Sequence, residues 1–137
     1  MKKLIVAAVI ILCTGVAFGQ MVQKGSVIGV HTSTVNLNEG VTLDQYLDYF
    51  SNTFIPEFEK HFPGIKLFLV KGLNREVKDE YGKIFIIESR EVYNKYWNDD
   101  GSYTEATLAI VEKVQPLLDE GNKLGTTDDV IADWVIQ

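Results

Sequence analysis

The chain has 137 residues, 46% of them hydrophobic, and its 13 Lys and Arg against 19 Asp and Glu give a net charge of −6. Such an acidic surface repels phosphate backbones and anionic headgroups, and no Lys/Arg cluster offsets it, which argues against nucleic acid as a partner. The one cysteine, Cys13, lies near the N-terminus, so a disulfide framework within the chain is excluded.

The N-terminus is read first. Lys2 and Lys3 precede the unbroken apolar run Leu4–Leu12, and Ala17-Phe18-Gly19 places small residues at −3 and −1 before Gln20. This pattern is that of a secretory signal peptide, residues 1–19, cleaved after Gly19. The apolar run contains Thr14 and Gly15 and ends near Phe18, short of the roughly 20 residues of a spanning helix. A lipid anchor on Cys13 is the lesser reading, because Leu12 rather than a small residue precedes it. Residues 20–137 are then expected to form one domain. Lys2 and Lys3 leave with the signal and all acids stay, so the net charge of −6 falls to −8. No cysteine remains, which removes thiolate catalysis and cysteine zinc sites as well. The expected product is exported, periplasmic or secreted, with no membrane attachment after cleavage.

Six apolar segments follow in an order that repeats. Ser26–Val35 reads as a strand, Val41–Phe62 as a helix and Ile65–Val70 as a strand. Lys83–Glu88 is then a strand, Glu91–Gly121 a helical region and Val130–Gln137 a strand. In the first helix Thr42-Leu43-Asp44-Gln45 is a capping box, with Val41 and Tyr46 as a hydrophobic staple. Leu43, Leu47, Phe50, Phe54 and Phe58 mark its apolar face. Pro56 is predicted to kink or break it near Ile55, and Pro63-Gly64 to end it. The second helical region is predicted to be interrupted at Asn98-Asp99-Asp100-Gly101. It restarts at a capping box, Ser102-Tyr103-Thr104-Glu105, and ends near Gly121.

The order β-α-β-β-α-β predicts an α+β domain: a four-stranded antiparallel sheet with both helices on one face. A sheet with one wet face alternates apolar and polar residues, yet these strands are apolar on both. Phe68 and Val70 oppose Ile65, Leu67 and Leu69; Ile84 and Ile86 oppose Phe85 and Ile87; Val130, Trp134 and Ile136 oppose Ile131 and Val135. Two helices cover one face only, and an apolar patch of that size means a partner. A homodimer packed sheet to sheet is the economical solution.

The element order and the two-sided apolar sheet resemble the dimeric α/β-barrel superfamily of ferredoxin-like proteins. The landmarks are Phe54-Ile55-Pro56-Glu57-Phe58 with Pro63-Gly64, and Glu88-Ser89-Arg90-Glu91 after a strand. The superfamily includes antibiotic-biosynthesis monooxygenase-like, stress-responsive barrel, haem-degrading and cyclase-like members. The resemblance implies a ligand site between the helices and the sheet. The candidate lining is His31, Tyr46, Phe50, Trp97 and Trp134, an imidazole, a phenol and apolar rings around one space. Tyr93, Tyr96 and Trp97 cluster before Asn98, where a loop makes either a pocket mouth or an anchor for the helix junction. His31 is the candidate catalytic residue, since an imidazole exchanges protons near neutral pH. Its structural alternative is a strand histidine bonded to a neighbour or set in the dimer interface.

His61 follows Lys60 at a helix end, where cations are favoured. Two histidines thirty residues apart, without an acid cluster at ligand spacing, do not make a metal site. Haem-degrading members hold iron with a histidine on the second helix, and Glu91–Gly121 has none. No metal and no cofactor is expected. Glu88 and Asp133 each share a strand face with apolar residues, and Lys66, Lys71 or Arg90 is expected to pair with them. Two functional classes follow. One is a binding or accessory module for a small apolar or aromatic ligand. The other is a cofactor-independent monooxygenase- or cyclase-like enzyme using His31 as acid or base. A hydrogen-bonded acid–base pair facing a cavity distinguishes them.

Overall fold

A computed structural model describes residues 22–73 and 80–137. The segment expected to be a signal peptide, residues 1–19, lies outside them. The described chain runs β1 (Val27–Leu37), α1 (Leu43–Tyr49), a π-helical turn (Phe50–Phe54), α2 (Ile55–His61) and β2 (Ile65–Lys71). After these come β3 (Tyr81–Ile87), α3 (Arg90–Tyr96), α4 (Glu105–Leu124) and β4 (Gly125–Val135). It is a mixed α/β architecture with an antiparallel sheet. Among the described residues that sheet has four strands in the order β2-β3-β1-β4.

The registers decide which side chains share a face. Val27 lies between Ile87 of β3 and Val135 of β4, Gly29 between Phe85 and Asp133, and His31 between Lys83 and Ile131. Ile65 faces Ile87 and Leu67 faces Phe85. These residues make the inner face, on which Val27, Ile65 and Ile87 are buried in one cluster with Phe62, Tyr93 and Tyr96 from the helices. Strand alternation puts Ile28, Val30, Phe68, Ile84, Ile86, Val130 and Trp134 on the outer face. The helices lie over β1, β2 and β3 and leave the inner side of β4 open, so Ile131 remains 61% exposed.

Thr42 caps α1 as a capping box: its Oγ1 accepts from the Gln45 N–H at 3.3 Å, and Gln45 Oε1 accepts from the Thr42 N–H at 2.8 Å. Pro56 does not break the helix. Proline lacks an N–H and clashes with the carbonyl four residues back, and the wider turn at Phe50–Phe54 absorbs both, with the Ile55 N–H reaching Phe50 O. The helix therefore continues to His61. The same turn keeps an aromatic ladder on one side. Residues four apart drift by about 40° per step in an α-helix. Yet Tyr46, Phe50, Phe54, Phe58 and Phe62 stay in ring contact, with centroids 4.4–6.0 Å apart.

The second helical region differs from expectation at both ends. Its cap is Thr104, which accepts from the Thr107 N–H, while Ser102 bonds to Asp100 within the loop. Thr104 wins because it also donates to Lys95 O at 2.7 Å, and buried Thr107 donates to Tyr96 O at 2.8 Å, tying α4 to α3. The helix runs past Gly121 to Leu124, where Asn38 Nδ2 donates to the carbonyls of Asn122 and Lys123. β4 then begins at Gly125 rather than Val130, because β1 is long enough to pair with it through Leu37.

Candidate functional site

Between the helices and the inner sheet face lies a cleft with two adjoining lobes. The first, of about 340 Å³, is lined by His31 from β1, Phe58 and Phe62 from the first helical segment and its end, and Phe85 and Ile87 from β3. Tyr93 and Trp97 line it from α3, Gly101 and Tyr103 from the loop, and Ile131 and Asp133 from β4. The second, of about 510 Å³, runs past Tyr46, Phe50, Phe54, Lys83, Leu117 and Thr127. His31, Phe58, Phe85, Tyr103 and Ile131 belong to both lobes. His31 is thus at their junction, its ring 4.5 Å from that of Phe85.

Of the residues expected to line one space, His31, Tyr46, Phe50 and Trp97 do border the cleft. They are divided between lobes, with Tyr46 and Phe50 in the second and Trp97 in the first. Trp134 does not belong with them. It pairs with Ile28 and sits one residue from Asp133, so alternation turns it to the outer face, where it is 64% exposed. The inner positions of that strand are Ile131 and Asp133.

Asp133 has a partner other than the cations expected for it. The Tyr93 hydroxyl donates to Asp133 Oδ2 at 3.3 Å. The cations are occupied elsewhere: Lys66 with Glu59 at 2.6 Å, Arg90 with Asp99 at 3.1 Å, and Lys71 over the Tyr81 ring. Glu88 falls just beyond β3 and is exposed, so water solvates its carboxylate. The Asp133 carboxylate leans over β1 because the facing residue is Gly29; a Cβ there meets Asp133 Oδ1 at 2.8 Å. Burial, and then the neighbouring Asp133 charge and hydrogen bond, push the Tyr93 hydroxyl above the usual phenol range. Tyr93 therefore stays a neutral donor at physiological pH.

One wall of the first lobe is Tyr93 stacked on Trp97, with centroids 5.2 Å apart. The mouth is fixed by a bridge between Trp97 and Tyr103 and by Asn98 Nδ2 donating to Ser102 Oγ at 2.9 Å. Lys83 Nζ is 3.4 Å from Thr127 Oγ1 at the floor of the second lobe. Among the lining residues that sequence reasoning left out are Phe58, Phe62, Phe85, Tyr103, Ile131 and Asp133. Their signals were the four-residue spacing of aromatic residues through Phe62, and an acid on an inner strand position.

No known protein family matches the chain, and no curated protein matches it. Among solved structures, it is similar to a single-residue mutant of SnoaB, a cofactor-independent oxygenase from Streptomyces nogalater. The identity is 14%, over 79% of this chain and 91% of that one, with a TM-score of 0.47. An EthD-like protein from Ralstonia eutropha JMP134 is 12% identical over 82% and 93% of the two chains, with a TM-score of 0.44. A dimeric protein of unknown function and ferredoxin-like fold from Bacteroides fragilis NCTC 9343 is 12% identical over 82% and 98%, with a TM-score of 0.45. At these scores the similarities assign neither a family nor an activity to this chain.

Proposed function

We propose that the protein is a binding module of the ferredoxin-like, dimeric α/β-barrel type that holds a small aromatic or apolar molecule between its helices and its sheet. The observation that carries this reading is the cleft itself: aromatic walls with few polar groups, the usual composition of a small-molecule site. The test is uptake of a neutral fluorescent probe, N-phenyl-1-naphthylamine, by the purified chain. One site is expected, weakened at least about fivefold in Phe85→Ala, since a buried aromatic contributes on the order of 1 kcal/mol or more. Uptake indifferent to both Phe85→Ala and Trp97→Ala places the probe elsewhere and ends the proposal.

A second reading, a cofactor-independent enzyme, is favoured by one observation. The Tyr93–Asp133 hydrogen bond borders the same lobe as His31, an acid–base pair facing a cavity. In this reading His31 exchanges the proton, and the Tyr93 hydroxyl, whose one proton goes to Asp133, accepts from a donor on the bound molecule. Turnover of an activated phenol, lost in His31→Ala while probe binding is kept, would support it; binding without turnover leaves the binding module.

Dimerisation through the outer face belongs to the same proposal. Phe68, Val130 and Trp134 are exposed there beside Ile28, Val30, Ile84 and Ile86, a continuous apolar surface that a second copy covers. Export rests on the N-terminal sequence pattern. A secreted or periplasmic product beginning at Gln20, read by mass spectrometry, is its expected outcome, and an unprocessed N-terminus overturns it.

A further inference from the structure

We infer that the lobe beside Asp133 selects ligands by charge and takes an aromatic amine, with the ammonium against Asp133 and the ring between Phe85, Trp97 and Tyr103. This rests on the binding reading above and narrows its ligand class. Asp133 is the only Asp, Glu, Lys or Arg among the residues lining that lobe. Besides His31, nothing in the lining can offer a positive charge to a carboxylate or phosphate, whereas Asp133 repels either. The carboxylate is aimed rather than incidental. Gly29 leaves the room it occupies, and the Tyr93 hydroxyl fixes Oδ2.

The aromatic walls act in the same direction. A cation over an aromatic face is attracted by the ring quadrupole, and Trp is the strongest such partner. The lobe already shows this preference on its outside, where the Arg90 guanidinium lies 4.8 Å from the centroid of the Tyr93 ring. The raised Tyr93 hydroxyl remains a neutral donor, so it orients the carboxylate without adding a second charge. An overall charge of −6 further concentrates small cations at the mouth.

The experiment is calorimetric titration of the full domain at pH 7 with three ligands of similar size: 2-phenylethylamine, 2-phenylethanol and phenylacetate. The amine is expected to bind roughly tenfold more tightly than the alcohol, the sum of a modest ion pair and a ring–cation contact, with phenylacetate weakest. Raising the salt to 0.5 M should narrow the gap, because Asp133 is exposed to solvent. In Asp133→Asn the amine should fall to the level of the alcohol while the alcohol is unchanged. Equal binding of amine and alcohol, or a preference that survives Asp133→Asn, overturns the inference and leaves the binding reading standing. Binding of none of the three, with N-phenyl-1-naphthylamine also excluded, overturns both.

Discussion

Asp133 and Gly29 form one unit at the residue scale, since the carboxylate occupies the space a side chain at Gly29 takes away. Gly29→Ala is expected to cost less than about 1 kcal/mol, because the atom it meets is the end of a rotatable side chain. It should nevertheless lower the Tyr93 titration toward the ordinary phenol range, by turning Asp133 away from its hydroxyl. Ultraviolet difference titration of Gly29→Ala against the parent reads this, and an unmoved Tyr93 contradicts the assigned geometry. Tyr49, Tyr93 and Tyr96 all have hydroxyls pushed above the ordinary value of 10.0, in each case first by burial. A raised folded-state pKa gives stability that is full below the unfolded value and is lost as pH rises toward the folded one. The unfolding free energy from urea titrations should therefore hold steady to about pH 9.5 and fall above pH 10, by up to ~1.4 kcal/mol per pH unit for each tyrosine. Tyr96→Phe, which removes the donor to Pro63 O at 3.0 Å, should make that alkaline fall shallower.

Elements are set by caps and close approaches. The start of α4 distinguishes two candidate caps: Thr104→Ala is expected to cost about 1 kcal/mol, and Ser102→Ala much less. Equal costs in chemical denaturation would restore Ser102 as the cap. The junction from α4 to β4 has no loop, and a Cβ at Gly125 meets the backbone oxygen of Asn36 at 2.7 Å. Backbone in a paired strand cannot rotate away, so Gly125→Ala should cost about 1–3 kcal/mol, more than Gly29→Ala despite a similar distance. On the far edge, Glu59 accepts from the Leu67 N–H at 3.1 Å and pairs with Lys66, satisfying a β2 group that has no neighbouring strand. Helix α2 thus protects one sheet edge while its aromatic side lines the cleft.

At the scale of the whole molecule, the sheet is a shared wall between two apolar regions of different kinds. The inner one is divided by His31 and Phe85 into two lobes, and the outer one is a continuous surface around Ile84 and Trp134. If the outer surface holds a second copy, sedimentation at micromolar concentration gives about twice the chain mass. Ile84→Asp then dissociates it, since an unpaired buried charge costs several kcal/mol. A monomer that stays soluble with this face in water refutes that assembly. The open inner side of β4 supplies access to the first lobe: Ile131 and Asp133 are reached from solvent beside Tyr103.

The sequence by itself determined the element order, because periodicity and caps are local: Thr42 with Gln45, and alternation in Ile65–Lys71, act within a few residues. It also determined that the strands are apolar on both sides, and that His31 is a titratable group within the first strand, with its face left open. Which residues share a face across strands was decided only by register. A one-residue shift in β4 exchanges Trp134 for Asp133, and that shift separates an aromatic site from one holding a carboxylate. The π-helical turn, the partner of Asp133 and the division of the cleft likewise depend on contacts between segments distant in the chain. Tyr93 and Asp133 are forty positions apart, and only the folded sheet and α3 bring their oxygen atoms together.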